Sequence, residues 1–524
     1  MAATVSTISS AWNSRARSAE LGLLLAVSLP FLFFGLDLSF LDPDEGLYGA
    51  IAREMLARRD WVLPHFNGLP YLEKPPLYFW LAAGALWLAG PSEWAVRLCS
   101  ALPALGTVLL TWRIGRRLYD PRAGLLAGLA LATTAGYALY VRKASTDFLL
   151  VFCLALAVYG FLRDVERSDR SSRRFLLVYL GSALGLLTKG LIGMLFPLLI
   201  IGLGMAWARR LSWREINLAR GTALFAAVAL PWHLAMAWRM PDLLWFYLVD
   251  NQLLRFLNVR GFREDDVPIS ALGLLVVSFL WLFPCGVFLL ARPAPAASEA
   301  ARWRPVLVIW ALVVVGFFVL ARSKLEYYAL PAFPALAVLA GGAWASSRDI
   351  GRWLRVGLVG CAAVGGWALW AGARLTGAQA LDGLAELNVY YRILRDQGAT
   401  FPFASPRPFG LLLQGLGLTL LGGWGLATLS WMRGWRRGSF AALLGMAGVI
   451  GALILQLLYL VEPHHSTKTV SRAIVAQSGP GDVVVHEGSL EYSAALPFYT
   501  GRRIAVVNGV RGDLEYASRL PEAR

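Results

Sequence analysis

Six short stretches of this chain gather side chains that can do chemistry: DPDEG at 42–46, YLEKPP at 71–76, STDF at 145–148, LTKG at 187–190, DNQLLRF at 250–256 and SKLEYYALP at 323–331. The first holds three acids. Asp42 reads as a helix N-cap, Pro43 fits the first helical position and Glu45 completes a capping box, so helix chemistry accounts for those two acids. Asp44 fills neither capping role. The dipole of the helix it opens holds it ionised, which suits a general base or a cation ligand and not a proton donor. Asp147 opens a second helix that Ser145 or Thr146 can cap, which leaves another carboxylate beside apolar sequence, a functional candidate by default.

The cations are as selective as the acids. Arg is used almost throughout, with Lys only at 74, 143, 189, 324 and 468. A compact ammonium that binds phosphate as a point charge is one reason to keep a lysine. Lys74 stands with Tyr71 and Glu73, Lys189 lies between two apolar helices where a structural charge is expensive, and Lys324 and Tyr328 sit at a helix mouth. Arg255 lies in an amphipathic segment. Several cations and phenols with two carboxylates suit a lipid phosphate and a reacting hydroxyl better than an ion path.

The elements that must position these residues belong in a bilayer, because 57% of the 524 residues are hydrophobic and only 16% are charged. Arg clusters between apolar runs make the net charge of +16 a matter of membrane topology and not of nucleic-acid binding. All four cysteines fall in apolar segments, which excludes a disulfide framework and a thiolate metal site. Spanning runs lie near 20–38, 93–112, 121–141, 147–163, 174–188, 190–208, 218–238, 269–291, 305–321, 328–346, 353–373, 409–431 and 439–461, about thirteen transmembrane helices. The first lacks a cleavage site and stays as an anchor. The segment 75–90 is too short to span and is rich in aromatics, so it reads as a helix lying on the surface.

With that segment on the surface, every dense Arg cluster falls on one side, which makes the N-terminus cytoplasmic and the C-terminal tail periplasmic. Loops 39–92, 239–268 and 374–408, the tail from 462 and all five lysines then face outward. The expected class is an all-α polytopic membrane protein, with residues 1–461 as the transmembrane domain. Residues 462–524 form a small α/β domain that ends without a clear cap. In it a helix (466–477), a buried-type strand (482–486), a second helix (490–499) and a further strand (504–508) follow one another.

DPDEGLYGAIAREMLARRDWVLPHFNGLPYLEKPPLYFW resembles the first outer loop of bacterial polyprenyl-phosphate-dependent glycosyltransferases, the aminoarabinose transferases of lipid A and their relatives among protein O-mannosyltransferases. ASTDF, LTKG, NQLLRF and SKLEYYALP continue the likeness in the same order over roughly 20–345. The resemblance implies the C-type glycosyltransferase fold, an acid in the first outer loop, an outer C-terminal domain, and inversion at the anomeric carbon. It makes Asp44 that acid and Asp147 its companion, while Lys74, Arg255 and Tyr328 would hold the carrier phosphate. Lys189, Tyr71 and Lys324 are further candidates for the same phosphate. Glu73 matches a residue that contributes to a metal site in some relatives, but where a His often precedes the Arg of the fourth-loop motif this chain has Asp250, Asn251 and Gln252. A divalent ion at Glu73 is therefore the most that could be expected, and no cofactor is required.

The expected function is a bacterial inner-membrane glycosyltransferase that takes a hexosyl or pentosyl group from a polyprenyl phosphate. The acceptor is periplasmic, a lipid A-type glycolipid or a hydroxyl of a protein or glycan. The alternative is a transporter or flippase of lipid-linked sugars, which requires charged groups across the bilayer and not at one face.

Overall fold

A computed structural model describes residues 2–41, 43–166, 173–209, 216–241, 245–257, 259, 269–292, 299–375, 392, 395–396, 398, 403, 405–509 and 513–519. Asp42 and most of the loop 374–408, read above as facing outward, lie outside the described residues. The chain divides into two compact units. One comprises 1–289, 293–346 and 466–524; the other comprises 290–292 and 347–465.

The first unit begins with α1 (Ala2–Phe33), whose Glu20 pairs with Arg116. After it comes the first loop, made of α2 (Asp44–Arg58), a hairpin and α3 (Leu77–Ala89). The hairpin pairs His65–Phe66 with Leu69–Pro70 across Asn67-Gly68, both at positive φ, the two-residue turn whose twist matches the strands it joins. By folding back, it returns Tyr71, Glu73 and Lys74 to the start of α2. The 13 residues of α3 reach only about 20 Å, short of the roughly 30 Å hydrocarbon layer. It packs on α2 through the Tyr48–Tyr78 ring pair, while Trp87 and Leu88 stand 76% and 78% exposed, a greasy outer edge suited to the bilayer surface.

Next come α4 (Glu93–Leu118), α5 (Pro121–Ala132), α6 (Ala135–Tyr140), α7 (Asp147–Asp164), α8 (Leu176–Lys189), α9 (Leu191–Ala208) and α10 (Leu218–Arg239). Then a π-helix (Trp245–Leu254) runs into the single turn α11 (Arg255–Leu257), followed by α12 (Ala271–Trp281), α13 (Pro305–Leu320) and α14 (Phe333–Ser346). Small residues let these helices touch. Gly185 of α8 lies so close to Gly193 of α9 that a Cβ there would come within 2.6 Å of the Gly193 carbonyl oxygen.

The second unit holds α15 (Ile350–Arg374) and the helices Arg407–Met432 and Arg436–His465. They pack around Trp424, fully buried, whose indole N–H donates to Leu354 O at 2.7 Å.

Each of the thirteen apolar runs is helical, although 121–141 breaks at Thr133-Thr134 and 269–291 ends in a 3-10 segment, Cys285–Leu290. Among the described residues, eight helices are long and apolar enough to cross a membrane. Others, such as α5, α8 and α12, are shorter apolar helices.

The tail from 466 packs with the first unit. After a helix (Lys468–Gln477), Val484–Glu487 and Ile504–Val507 pair in parallel, joined by the 3-10 turn Leu490–Ser493 and the helix Leu496–Thr500. The first strand is not the buried one its sequence implied. With one partner strand and one covered face, Val483 and Val485 are left 73% and 61% exposed. The covered face meets the first loop. Asn67 donates to Ile504 O and accepts from Ile504 N–H, both at 2.8 Å; Tyr499 donates to Glu93 at 3.0 Å; and the Phe40 and Phe498 rings meet edge-on at 4.9 Å.

Candidate active site

The six motifs converge on one cavity of about 240 Å³ in the first unit, walled by the first loop, the start of α7, the α8–α9 corner, the π-helix, the 321–328 segment and the tail. Helix α2 begins one residue later than its sequence implied: Pro43 is the N-cap and Asp44 the first residue, with no side-chain cap. Glu45 does reach back to the Leu41 N–H at 2.9 Å, but its larger role was not foreseen. Its carboxylate is gripped by both Arg97 Nε (2.9 Å) and Nη2 (2.8 Å) and also accepts from the Ala144 N–H at 2.6 Å. Arg97 spends its remaining donors on the carbonyls of Leu36, Leu38 and Ser39. This pair, 1% and 0% exposed, ties the residues before Asp44 to the loop that carries Asp147.

Asp44 and Asp147 are each held by a lysine. Lys143 Nζ lies 2.5 Å from Asp44 Oδ2, and Lys189 Nζ lies 2.5 Å from Asp147 Oδ1. Burial alone would raise the Asp44 carboxyl, but Lys143, with smaller help from Lys74 and Lys189, more than offsets that and holds it below the usual carboxylate range. The same pairing, working against burial, raises Lys143 above an ordinary lysine. Thr146 is the N-cap of α7 and makes no side-chain cap; Ser145 Oγ, one residue before it, accepts from the Asp147 N–H at 3.2 Å. Gly190 ends α8 at a φ of +75°, and a Cβ there would meet Gln252 Nε2 at 2.9 Å, so only glycine makes this corner.

Around Glu73 the contacts are longer. Glu73 Oε2 is 3.5 Å from Lys74 Nζ and 3.8 Å from Arg255 Nη1. Asn251 organises the pair: its Nδ2 donates to Glu73 O at 2.6 Å and its Oδ1 faces Arg255 at 3.5 Å. The chain thus has an amide close to where relatives of the resembled family often carry a His. Glu73 faces the cations of Lys74 and Arg255, a setting that does not fit a divalent ion, and among the described residues no three His, Cys, Asp or Glu converge on a metal position. Tyr328 lies under the Lys189 ammonium and Tyr327 under that of Lys143, each 5.5 Å from ring centre to nitrogen. Tyr71, almost wholly buried, also lines the cavity.

Lys324 is the exception among the sequence candidates. It does not line the cavity, and its ammonium donates to Val319 O at 3.3 Å, where the last carbonyls of α13 offer a cation a more local partner. The sequence reading also missed Arg97, Lys143 and Tyr327 as parts of this assembly, together with Glu491 and Tyr492, which the tail brings to the cavity wall. Signals existed for two: Arg97 is a charge inside an apolar run, and Lys143 is one of five lysines. Nothing in the sequence brings the tail to the first loop.

Residues 73–234 match the family described as dolichyl-phosphate-mannose-protein mannosyltransferase. An undecaprenyl phosphate-α-4-amino-4-deoxy-L-arabinose arabinosyl transferase of Pseudomonas aeruginosa is 30% identical over 499 residues, 92% of this chain and 83% of that protein. Its counterpart in Edwardsiella ictaluri is 28% identical over 510 residues, 92% of this chain and 84% of that protein. Among solved structures, ArnT from Cupriavidus metallidurans bound to undecaprenyl phosphate superposes with a TM-score of 0.77 at 25% identity, over 95% of this chain and 87% of that one.

Proposed function

The chain belongs to the polyprenyl-phosphate-dependent glycosyltransferases of the C-type fold, the family of these arabinosyl transferases, and from that premise we propose how its cavity performs the transfer. The protein is a multi-pass enzyme of the bacterial inner membrane that moves a sugar from a polyprenyl-phosphate carrier to an acceptor. The sugar is a 4-amino-4-deoxypentose, as in the relatives' names, and the acceptor is a lipid A-type glycolipid. The cavity opens to the periplasm, with thirteen crossings, a cytoplasmic N-terminus and a periplasmic tail.

The observation that carries the reading is the unequal pairing of the charged walls. Glu73 holds Lys74 and Arg255 at 3.5 and 3.8 Å, so an arriving phosphate can draw both cations to itself. Lys189 and Tyr328 close the other side of that phosphate. As the bond from the anomeric carbon to the carrier oxygen breaks, charge grows on the phosphate, and these fixed donors stabilise it. For a hydroxyl acceptor, Asp44 takes the proton as the acceptor oxygen attacks from the face opposite the leaving phosphate, with inversion. For a lipid phosphate acceptor no base is needed, and Asp44 and Asp147 orient the sugar.

Purified protein in nanodiscs, given undecaprenyl phosphate carrying 4-amino-4-deoxy-L-arabinose and lipid A, tests this by mass spectrometry of the lipid products. Modified lipid A is expected. Transfer only from a hexosyl carrier would overturn the sugar assignment, and relocation of the intact carrier across the bilayer without transfer would favour a flippase.

A further inference from the structure

Asp44 does not stand on the cavity wall unaided. We propose that Lys143 is a positioning residue that keeps Asp44 ionised and aimed into the cavity, so that one short loop, 140–147, sets both aspartates. The inference rests on the reading of Asp44 as the functional carboxylate. Lys143 is not part of the cavity lining and meets the reacting groups only through Asp44, 2.5 Å away.

The loop is built to hold that contact. The Lys143 N–H donates to Tyr140 O at 3.0 Å, and the Tyr140 hydroxyl donates to Glu326 at 3.0 Å. The next residue, Ala144, is fastened by its N–H to Glu45, the neighbour of Asp44. Ser145 exchanges hydrogen bonds with Ser100, its N–H donating at 3.1 Å and its carbonyl accepting at 3.2 Å. Two residues later the chain reaches Asp147, held by Lys189. The Tyr327 ring below the Lys143 ammonium completes its seat.

The charges around Asp44 make Lys143 the decisive one. On its own helix, Glu45 is neutralised by Arg97. Lys74 and Lys189 face it from the first loop and the end of α8, but Lys74 is shared with Glu73 and Lys189 with Asp147. Tyr48, Tyr327 and Glu491 share the cavity wall. Arg255 stands beside Glu73. A bound carrier phosphate would then claim Lys74 and Arg255, leaving Lys143 as the cation that keeps Asp44 free of a proton.

The test is the pH dependence of kcat/KM, from about pH 4.5 to 8.5, with undecaprenyl phosphate-linked 4-amino-4-deoxy-L-arabinose and lipid A in nanodiscs. The variants are Lys143→Met, Lys143→Arg and Asp44→Asn. Lys143→Met should keep the donor KM but move the acidic limb toward neutrality, each pH unit below the new midpoint costing about tenfold in kcat/KM. Lys143→Arg should match wild type, with no acidic limb from Asp44 above about pH 4.5, since it keeps the charge. Lys143→Gln serves in place of Met if the latter does not insert. A wild-type profile in Lys143→Met, a loss independent of pH, or equal losses in Met and Arg would overturn the proposal while an inactive Asp44→Asn left the functional reading standing. An active Asp44→Asn would remove that reading, and this inference with it.

Discussion

Replacing Glu45 with alanine should damage both stability and transfer, although Glu45 does not line the cavity. The side chain is 1% exposed and Arg97 0%, so the substitution leaves a guanidinium in the interior with three backbone carbonyls but without the carboxylate that grips it. Breaking a buried pair from one side costs about 3–5 kcal/mol. The N–H groups of Leu41 and Ala144 also lose their acceptor, each worth about 1–3 kcal/mol if left unsatisfied, so the upper part of the first range is expected. Thermal unfolding in nanodiscs measures the first effect and transfer below the unfolding temperature the second. Because Glu45 fastens Ala144, the Lys143–Asp44 contact should loosen, and the surviving folded enzyme should turn over slowly. Glu45→Gln keeps one carbonyl acceptor and should fall between. A Glu45→Ala protein as stable as wild type, within about 0.5 kcal/mol, would refute the claim that this pair ties the two aspartate loops together.

Lys74→Ala and Arg255→Ala should each cost the carrier phosphate a charge-assisted hydrogen bond, about 1.5–3 kcal/mol in kcat/KM, with unaltered thermal unfolding; wild-type kinetics in both would remove them from the site. Lys324→Ala should leave donor KM unchanged, because its ammonium serves the end of α13; a raised donor KM would return it to the cavity. Asp44, held below the usual carboxylate range, contributes its ion pair fully above about pH 3.9 and loses it as pH falls through its lowered value, so wild-type transfer should show no acidic limb from Asp44 between neutrality and about pH 4.5.

The legible part of this protein was the part written in local pattern. Apolar length located the helices, and Asp44, Lys74, Asp147, Lys189, Arg255 and Tyr328 could be singled out because each departs from its surroundings in charge or type. What a single sequence does not carry is the identity of long-range partners. Glu45 looked like a capping residue because its spacing from Asp42 fits one, yet its principal partner, Arg97, lies 52 residues on. Lys324 looked like a phosphate ligand because it stands beside Tyr328 in sequence, but its ammonium faces the carbonyl of Val319. The tail looked like an appendage, and only the fold reveals that Asn67, in the first loop, holds Ile504 by two hydrogen bonds and so sets Glu491 and Tyr492 against the cavity.

The distribution of lysine follows from this arrangement. Charge at a membrane surface is tolerated where water or a counter-charge is close, and Glu73, Asp44 and Asp147 supply counter-charges to Lys74, Lys143 and Lys189. Arg97, fully buried, needs several acceptors in one plane and finds them in Glu45 and three carbonyls, which a lysine could not satisfy. Lys143 and Lys189 each meet a single carboxylate oxygen at 2.5 Å, a point contact for which an ammonium suffices. Lys74 and Arg255 face Glu73 at longer range, so the two kinds of cation answer two demands. In the proposed mechanism the close pairs at Asp44 and Asp147 are the ones that fix the aspartates, and the longer contacts at Glu73 are the ones the carrier phosphate would draw on.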